Sequence, residues 1–254
     1  ISYLCEHSVW MIKKHNISAK SDAHDVASMF DSIAWRYDFL NHFLSFNIDR
    51  LWRKRVVRII AKHHSFSEIL DVATGTCVLA ILSAKLHPER ITGIDISEKM
   101  LEIGKRKVDR KGLSDLIELV KCDSENICFG NDSFDIAMVA FGVRNFKDPL
   151  RGLKEMARVL RSGGLLIVLE FSKPEGFLFK RIYNLYFSKL LPFLGKVLSK
   201  DKRAYRYLNE SVMEFPDNDE FLQIMRSAGL SDLNQLKLTA GIASIYSGVK
   251  NQEQ

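Results

Sequence analysis

Apolar positions recur along the chain at two spacings, and the alternation between them predicts the architecture. From residue 67 to residue 171, short apolar runs alternate with stretches in which apolar residues return every three or four positions. The first pattern is typical of buried strands and the second of helices. Strands separated by helices of this length imply right-handed crossovers, so we expect an α/β protein with a parallel, doubly wound sheet.

The individual elements of this pattern have clear boundaries. Strands are predicted at 68–73, 90–96, 116–122, 134–141 and 165–171. Helices are predicted between them at 79–86, 98–110 and 150–160, where Ser97 is a suitable N-cap and the run 162–164 a helix stop. A further helix at 217–228 precedes two strands, at 233–239 and 243–249, which are expected to close the sheet as a hairpin.

Segments on either side of this core also carry helical spacing. The N-terminal one is expected to cover a sheet edge or a pocket, and the stretch 177–200 reads as a basic, aromatic amphipathic helix. We therefore expect a disordered tail and one domain of four consecutive parts: tail 1–20, and, within the domain 21–254, a helical layer 21–62, a cofactor-binding core 67–174, substrate- or membrane-facing helices 175–230 and C-terminal strands 231–249.

Composition narrows the class of protein. Among 254 residues 46% are hydrophobic, enough for a substantial core, and the net charge of +6 admits acidic lipid headgroups or nucleic acid as partners besides a merely solvated surface. No apolar run reaches the roughly 18 residues that span a bilayer. The cysteines show no C-x-x-C spacing, so we expect reduced thiols and no metal site; they are Cys5, Cys77, Cys122 and Cys128.

Acidic residues stand at the ends of three successive predicted strands. Gly75 alone remains of a G-x-G-x-x-G fingerprint, so a bound pyrophosphate is not expected. Asp71 and Asp95 end the first two strands; the latter can accept both hydroxyls of a ribose. Asp123 and Ser124 after the third can meet the amino edge of adenine. A nucleoside site without phosphates indicates S-adenosylmethionine, although Asp95 could instead cap the next helix and Asp123 could be a turn residue.

Two longer segments carry a resemblance over residues 26–249. The first reads MFDSIA at 29–34 and YDFLNHFLS at 37–45, followed by Trp52; the second reads RVLRSGG at 158–164 and LEFSKP at 169–174. Supporting segments are FGVRN at 141–145, AYRYL at 204–208 and LTAGIA at 238–243. Together they resemble the ubiquinone/menaquinone biosynthesis C-methyltransferase family. The resemblance implies the Rossmann-like class I methyltransferase fold, a seven-stranded, mostly parallel sheet whose last strand is antiparallel, with helices on both faces.

The resemblance also implies cofactor contacts. It places S-adenosyl-L-methionine against Thr76, Asp95, Asp123 and Ser124, with Gly75 making the turn, while Ala140 stands where relatives often have a contacting serine. Relatives usually read Gly-Thr-Gly-Asp at 75–78, where this chain has Cys77 and Val78. We expect Cys77 to fit if its φ stays negative, and the amino-acid end of the site to be weakened.

The chemistry implied by the resemblance is C-methylation of a reduced quinone. Loss of a phenolic proton makes the adjacent ring carbon of a quinol nucleophilic, and that carbon receives the methyl group. Arg144 and Asn145, just past the fourth strand, are expected to face the substrate, with Arg144 stabilising the phenolate or holding a water that takes the proton. The alternative for Arg144 is a salt bridge to an acid such as Glu170.

The N-terminal helical layer supplies the remaining candidates. Tyr37, Asp38 and Asn41 are expected to line the ring pocket, although Tyr37 could be only a core aromatic. Some relatives carry a histidine three residues before the position of Trp52. Here that residue is Asp49, a carboxylate that could also act as the base.

Several readings of function stay open at this point. The leading substrate is demethylmenaquinol, the alternative is the benzoquinol precursor of ubiquinone, and a scaffold that has lost its cofactor is a third reading. Methylation of RNA is disfavoured because no RNA-binding module is recognised, and no nucleic acid is expected as partner. We expect a cytoplasmic protein in peripheral contact with the inner face of the membrane through 177–200, unless that helix packs on the sheet. A homodimer is left open.

Overall fold

The computed structural model describes residues 47–174 and 210–251, together with Ser28 and Asp31. The predicted tail, most of the N-terminal helical layer and the basic stretch at 177–200 lie outside the described residues. No helix within the described ranges is long and apolar enough to cross a membrane.

Five α-helices and seven strands lie wholly within the described part of the chain, and residues 210–214 are helical as well. The helices are α1 (Ile48–Ile60), α2 (Val78–Ser83), α3 (Glu98–Arg110), α4 (Pro149–Val159) and α5 (Asp219–Ser227). The strands are β1 (Glu68–Val72), β2 (Arg90–Asp95), β3 (Ile117–Lys121), β4 (Phe134–Ala140), β5 (Leu160–Phe171), β6 (Leu230–Leu238) and β7 (Ala243–Lys250). Ser97 caps α3 as predicted, since its hydroxyl oxygen accepts the N–H of Met100 at 3.2 Å.

All seven strands form one sheet in the order β3-β2-β1-β4-β5-β7-β6. Strand β7 runs antiparallel to β5 and β6, and the other neighbours are parallel. This confirms the predicted fold class and the antiparallel last strand. The order reverses between β1 and β4, so the carboxyl ends of these two strands flank the switch point where α/β proteins bind ligands.

Helices cover both faces of the sheet, which explains why the central strands read as continuous apolar runs. Side chains of α1, α2 and α3, such as Val56, Leu79 and Val108, pack on one face with Ile69 of β1. Leu70, the next residue of β1, faces the other core, which α4 and α5 cover. Helices α1, α2 and α3, which pack on the first core, are the ones that border the strand ends at the switch point.

Strand β5 begins earlier than predicted. Leu160 already pairs with Phe134, but the next pair in register is Ile136 with Leu165, so residues 161–164 form a bulge within the strand and not only the predicted helix stop at 162–164. A side chain at Gly164 would bring its Cβ within 2.8 Å of the Arg161 carbonyl oxygen. The missing side chain lets the backbone fold this tightly while the strand continues.

The expectation that the cysteines are reduced thiols is wrong for two of them. Cys122 and Cys128 form a disulfide across the loop that follows β3, with their Cα atoms 6.1 Å apart. A bridge needs only two Cα atoms within about 7 Å, and a turn after a strand provides this without C-x-x-C spacing. Cys77 is a free, buried thiol.

Candidate active site

The carboxylate of Asp71 braces the turn between β1 and α2 from inside. Its Oδ2 accepts a hydrogen bond from Thr74 Oγ1 at 2.6 Å and from the N–H of Ala80 at 3.1 Å. Only 1% of Asp71 is exposed, and burial raises its pKa to about 7. Asp71 therefore gives the turn its shape, and direct contact with a cofactor stays a prediction.

Asp95 ends β2 beside this turn. One oxygen accepts the N–H of Gly75 at 2.8 Å and the other accepts the N–H of Ser97 at 2.9 Å. Gly75 has a φ of 57°, which glycine adopts without strain. The alternative reading of Asp95 as the helix cap is wrong in detail, because Ser97 is the N-cap and Asp95 holds its N–H.

The anchoring of Asp95 leaves it able to bind a ligand. The residue is half-buried, and a carboxylate offers about four acceptor positions. The N–H groups of Gly75 and Ser97 use one position on each oxygen and the N–H of Ile96 also stabilises the carboxylate, so part of its capacity remains for the hydroxyls of a ribose. Burial raises the pKa of Asp95, and the nearby charge of Asp31 raises it further. Hydrogen-bond donors from a ligand would stabilise the charged carboxylate and so oppose both causes of the raised pKa.

Asp31 is a contact that the sequence analysis missed. Its Oδ1 accepts a hydrogen bond from the hydroxyl of Ser97 at 2.5 Å, across 66 positions of the chain. A residue of the N-terminal segment thus meets the start of α3 next to Asp95. The motif at 29–34 was a signal that this segment matters, but nothing in it indicated which strand end Asp31 would reach.

Asp123 and Ser124 follow β3, the strand next to β2. The N–H of Cys122 donates to the carbonyl oxygen of Asp95 at 3.1 Å, which brings the two strand ends together. Asp123 Oδ1 accepts the N–H of Glu125 at 2.9 Å, and this confirms its alternative reading as a turn residue. Asp123 is exposed, so its contact with an adenine amino group stays a prediction, as does that of Ser124.

Cys77 does not fit as expected. Its φ is 64°, in the left-handed region, so the expected negative φ is wrong. The side chain points into the core, where a Cβ added to Gly104 of α3 would lie 2.3 Å from Sγ. Burial raises the pKa of the thiol to about 12, which keeps it protonated.

Thr76 and Val78 flank this cysteine. Thr76 is 1% exposed, and its carbonyl oxygen accepts a hydrogen bond from Lys107 Nζ at 3.2 Å. Val78 opens the short helix α2 without a carboxylate, since this helix has no acidic residue in its first turn. The start of α2 thus carries no carboxylate, and the weakened amino-acid end of the site stays a prediction.

Arg144 lies in a short 3-10 turn just past β4, and the structure confirms its alternative reading. Its Nη1 donates to Glu170 Oε1 at 2.7 Å and to the carbonyl oxygen of Phe141 at 2.6 Å. Side-chain exposure is 6% for Arg144 and 0% for Glu170. Asn145 follows, with its side-chain amide 3.4 Å from the same carbonyl. These contacts fix Arg144 at the end of β4, and its catalytic role stays a prediction.

Helix α1 places aromatic and charged residues beside the ends of β4 and β5. Trp52 lies 6.1 Å from Phe141 and 6.2 Å from Phe171 between ring centroids. Asp49 forms a buried ion pair with Arg53, whose guanidinium lies 5.1 Å above the Phe141 ring. Asp49 is therefore held by Arg53, and its role as base stays a prediction.

The sheet brings the predicted residues together in two groups. The ends of β1, β2 and β3 hold the turn and the acidic residues, and the ends of β4 and β5 hold the buried ion pair and the aromatic rings. The predicted pocket residues Tyr37, Asp38 and Asn41 lie outside the described residues.

Known proteins with similar sequences cover nearly the whole chain. It is 47% identical over 227 residues to the ubiquinone/menaquinone biosynthesis C-methyltransferase UbiE of Geotalea daltonii, covering 89% of this chain and 96% of that protein. It is 41% identical over 240 residues to the demethylmenaquinone methyltransferase of Bacteroides fragilis, covering 94% and 97%.

Solved structures and a family model agree with these relatives. A SAM-dependent methyltransferase from Aquifex aeolicus shares the fold, with a TM-score of 0.57 at 18% identity over 78% of this chain and 88% of that one. The model of the ubiE/COQ5 methyltransferase family matches residues 17–250. The chain therefore belongs to the ubiE/COQ5 methyltransferase family.

Proposed function

We propose that the chain is an S-adenosylmethionine-dependent C-methyltransferase of quinone biosynthesis, with demethylmenaquinol as its substrate. The relatives' names supply the reaction and the substrate class. The single structural observation that carries the proposal is Asp95, which is held by the N–H groups of Gly75 and Ser97 and stays half-buried at the mouth of the turn.

Five residues would hold the cofactor. S-adenosylmethionine supplies an electrophilic methyl group on a sulfonium when it is bound. Asp95 accepts the two ribose hydroxyls, and Asp123 with Ser124 meets the adenine amino edge. Gly75 and Thr76 provide the turn against which the rest of the molecule lies. Because S-adenosylmethionine contains no phosphate, the turn needs neither the second nor the third glycine of a dinucleotide-binding site.

The quinol would lie against the ends of β4 and β5. Arg144 is held there by its ion pair with Glu170, and a fixed hydrogen-bond donor in a buried site stabilises a phenolate more strongly than it would in water. Asp49 or a water held beside Arg144 accepts the phenolic proton, a step that contributes roughly 10²–10⁴-fold to rate. Asn145 orients the hydroxyl, and Tyr37, Asp38 and Asn41 line the ring pocket.

The finer features of the proposal rest on sequence. The benzoquinol precursor of ubiquinone is the alternative substrate, since relatives are named for both pathways. Peripheral membrane contact through 177–200 and a homodimer belong to the proposal as well. The scaffold that has lost its cofactor has little support, because the turn at Cys77 keeps its sulfur in the core.

Two measurements, made one after the other, test the proposed function. Calorimetric titration with S-adenosylmethionine should give a saturable heat, and no heat at millimolar cofactor would favour the scaffold. Methyl incorporation is then compared for demethylmenaquinol and the benzoquinol, each with the same short prenyl tail. Faster transfer to demethylmenaquinol is the expected result, and faster transfer to the benzoquinol would replace the proposed substrate by the alternative.

A further inference from the structure

The outer face of α1 carries an unusual concentration of positive charge. Five basic residues of this helix and the turn after it are exposed and form what we term the basic face: Arg50, Lys54, Arg55, Arg58 and Lys62. The helix's one acid, Asp49, points inward to Arg53 and is buried. Leu51 projects among the cations with 61% of its surface exposed.

The charges of the basic face are not balanced within the described part of the chain. None of the five residues forms an ion pair or side-chain hydrogen bond with another described residue. Elsewhere in the described part of the chain some cations are paired: the exposed Lys121 with Glu98 at 3.1 Å, and the less exposed Lys250 with Asp132 at 2.8 Å. A helix with unpaired cations and a projecting apolar side chain has the composition that suits an anionic bilayer surface.

The position of the basic face connects it to the site. The opposite side of α1 carries Trp52, which packs on Phe141 and Phe171 at the ends of β4 and β5. A helix is about 10 Å across, so a surface lying on the basic face would stand about that far from the strand-end aromatic residues.

We propose that the basic face docks on an anionic lipid surface, with Leu51 entering the headgroup region. This inference rests on the proposed function, because a substrate with a polyprenyl tail resides in the bilayer and must reach the ends of β4 and β5 from there. It adds a docking surface distinct from 177–200. Lipid is favoured over nucleic acid because the side chain that projects among the cations is a leucine and no aromatic residue of the described helix is exposed for base stacking.

Co-sedimentation with quinol-free vesicles tests the docking. Vesicles of phosphatidylcholine are compared with vesicles that also contain phosphatidylglycerol, at low and high salt. The full chain should bind only the anionic vesicles and lose binding with salt. Each surface cation contributes about fivefold to such binding, so Lys54→Glu with Arg58→Glu should weaken it at least about 25-fold. Leu51→Ser should weaken it about tenfold with the salt dependence kept.

A matched control variant carries the same change in charge on the other face of the sheet. Lys154→Glu with Arg226→Glu alters exposed residues of α4 and α5, which cover the opposite core, and should change binding by less than about threefold. Thermal unfolding confirms that each variant is folded. An equal loss in both double variants would overturn the proposal, since net charge alone would then explain it.

Further outcomes separate the docking surface from the function. Unchanged vesicle binding of the basic-face variant, or wild-type binding to a single-stranded RNA oligonucleotide but not to vesicles, would overturn the docking surface. Cofactor titration and methyl transfer to a short-tailed quinol in solution do not need a bilayer. They therefore stay intact if only the docking surface is wrong, and fail if the proposed function is wrong.

Discussion

At the scale of single residues, Cys77 shows how the turn accommodates a side chain at a positive φ. A non-glycine residue at a φ of 64° costs about 1–2 kcal/mol. The sulfur fills the space that Gly104 leaves open in α3, where an added Cβ would lie 2.3 Å from Sγ. Because the buried contact offsets part of the backbone cost, the two residues act as a pair.

This pairing predicts a strong coupling between two substitutions. Gly104→Ala alone should destabilise the protein by about 1 kcal/mol or more, because the overlap with Sγ outweighs what alanine gains over glycine in a helix. Cys77→Gly removes the overlap, so the double variant should recover at least the wild-type stability. Urea unfolding of the wild type, both single variants and the double variant measures a coupling of at least about 1 kcal/mol. Additive effects would show that the sulfur can move away.

At the scale of elements, the bulge at the start of β5 sets the register in which β5 pairs with β4. The strand leaves register after Leu160 and regains it at Leu165, so four residues fold back over a short distance. The bulge also holds Arg161, whose Nη1 donates to Asp135 Oδ1 of β4 at 2.7 Å. Gly164 allows the close approach of backbone to backbone that this needs.

Gly164→Ala should therefore destabilise the protein by about 1–3 kcal/mol, the usual cost of overpacking. Its Cβ would lie 2.8 Å from the Arg161 carbonyl oxygen and 2.9 Å from that of Asp135, and neither backbone atom can move independently. Gly130→Ala is the control, because a Cβ there meets only Ser133 Oγ at 3.8 Å. Denaturant unfolding should separate the two variants. Equal stability would mean that the bulge is pliable.

The extent to which these elements follow from sequence depends on whether their causes are local. Helix α3 was predicted at its observed bounds because apolar spacing and the cap at Ser97 are local signals. The strand ends also placed Asp95 beside Gly75. The bulge of β5, the contact of Asp31 with Ser97 and the direction of the Cys77 side chain depend on residues distant in sequence, which no local pattern reveals.

At the scale of the whole molecule, the switch point divides the sheet into two halves with different tasks. The half with β1, β2 and β3 presents backbone N–H groups and the half-buried carboxylate of Asp95. The half with β4 and β5 presents a buried arginine paired with Glu170 and packed near aromatic rings. A cofactor with a methyl group at its far end would span the two halves, so substitutions on either side should affect different steps.

Asp95→Ala should abolish cofactor binding, because the ribose hydroxyls lose their acceptor and Gly75 loses the carboxylate that holds its N–H. Arg144→Ala should spare cofactor affinity within about threefold and lower turnover by roughly 10²-fold or more. It should also destabilise the fold by about 3–5 kcal/mol, since Glu170 is left as a buried unpaired charge. Calorimetry on the folded fraction, single-turnover methyl transfer and denaturant unfolding measure the three effects.

Arg144→Ala with Glu170→Gln is the control: it removes the unpaired charge and should restore stability but not turnover. If turnover returned with stability, Arg144 would be structural only, and equal loss of cofactor binding in Asp95→Ala and Arg144→Ala would contradict the division into halves.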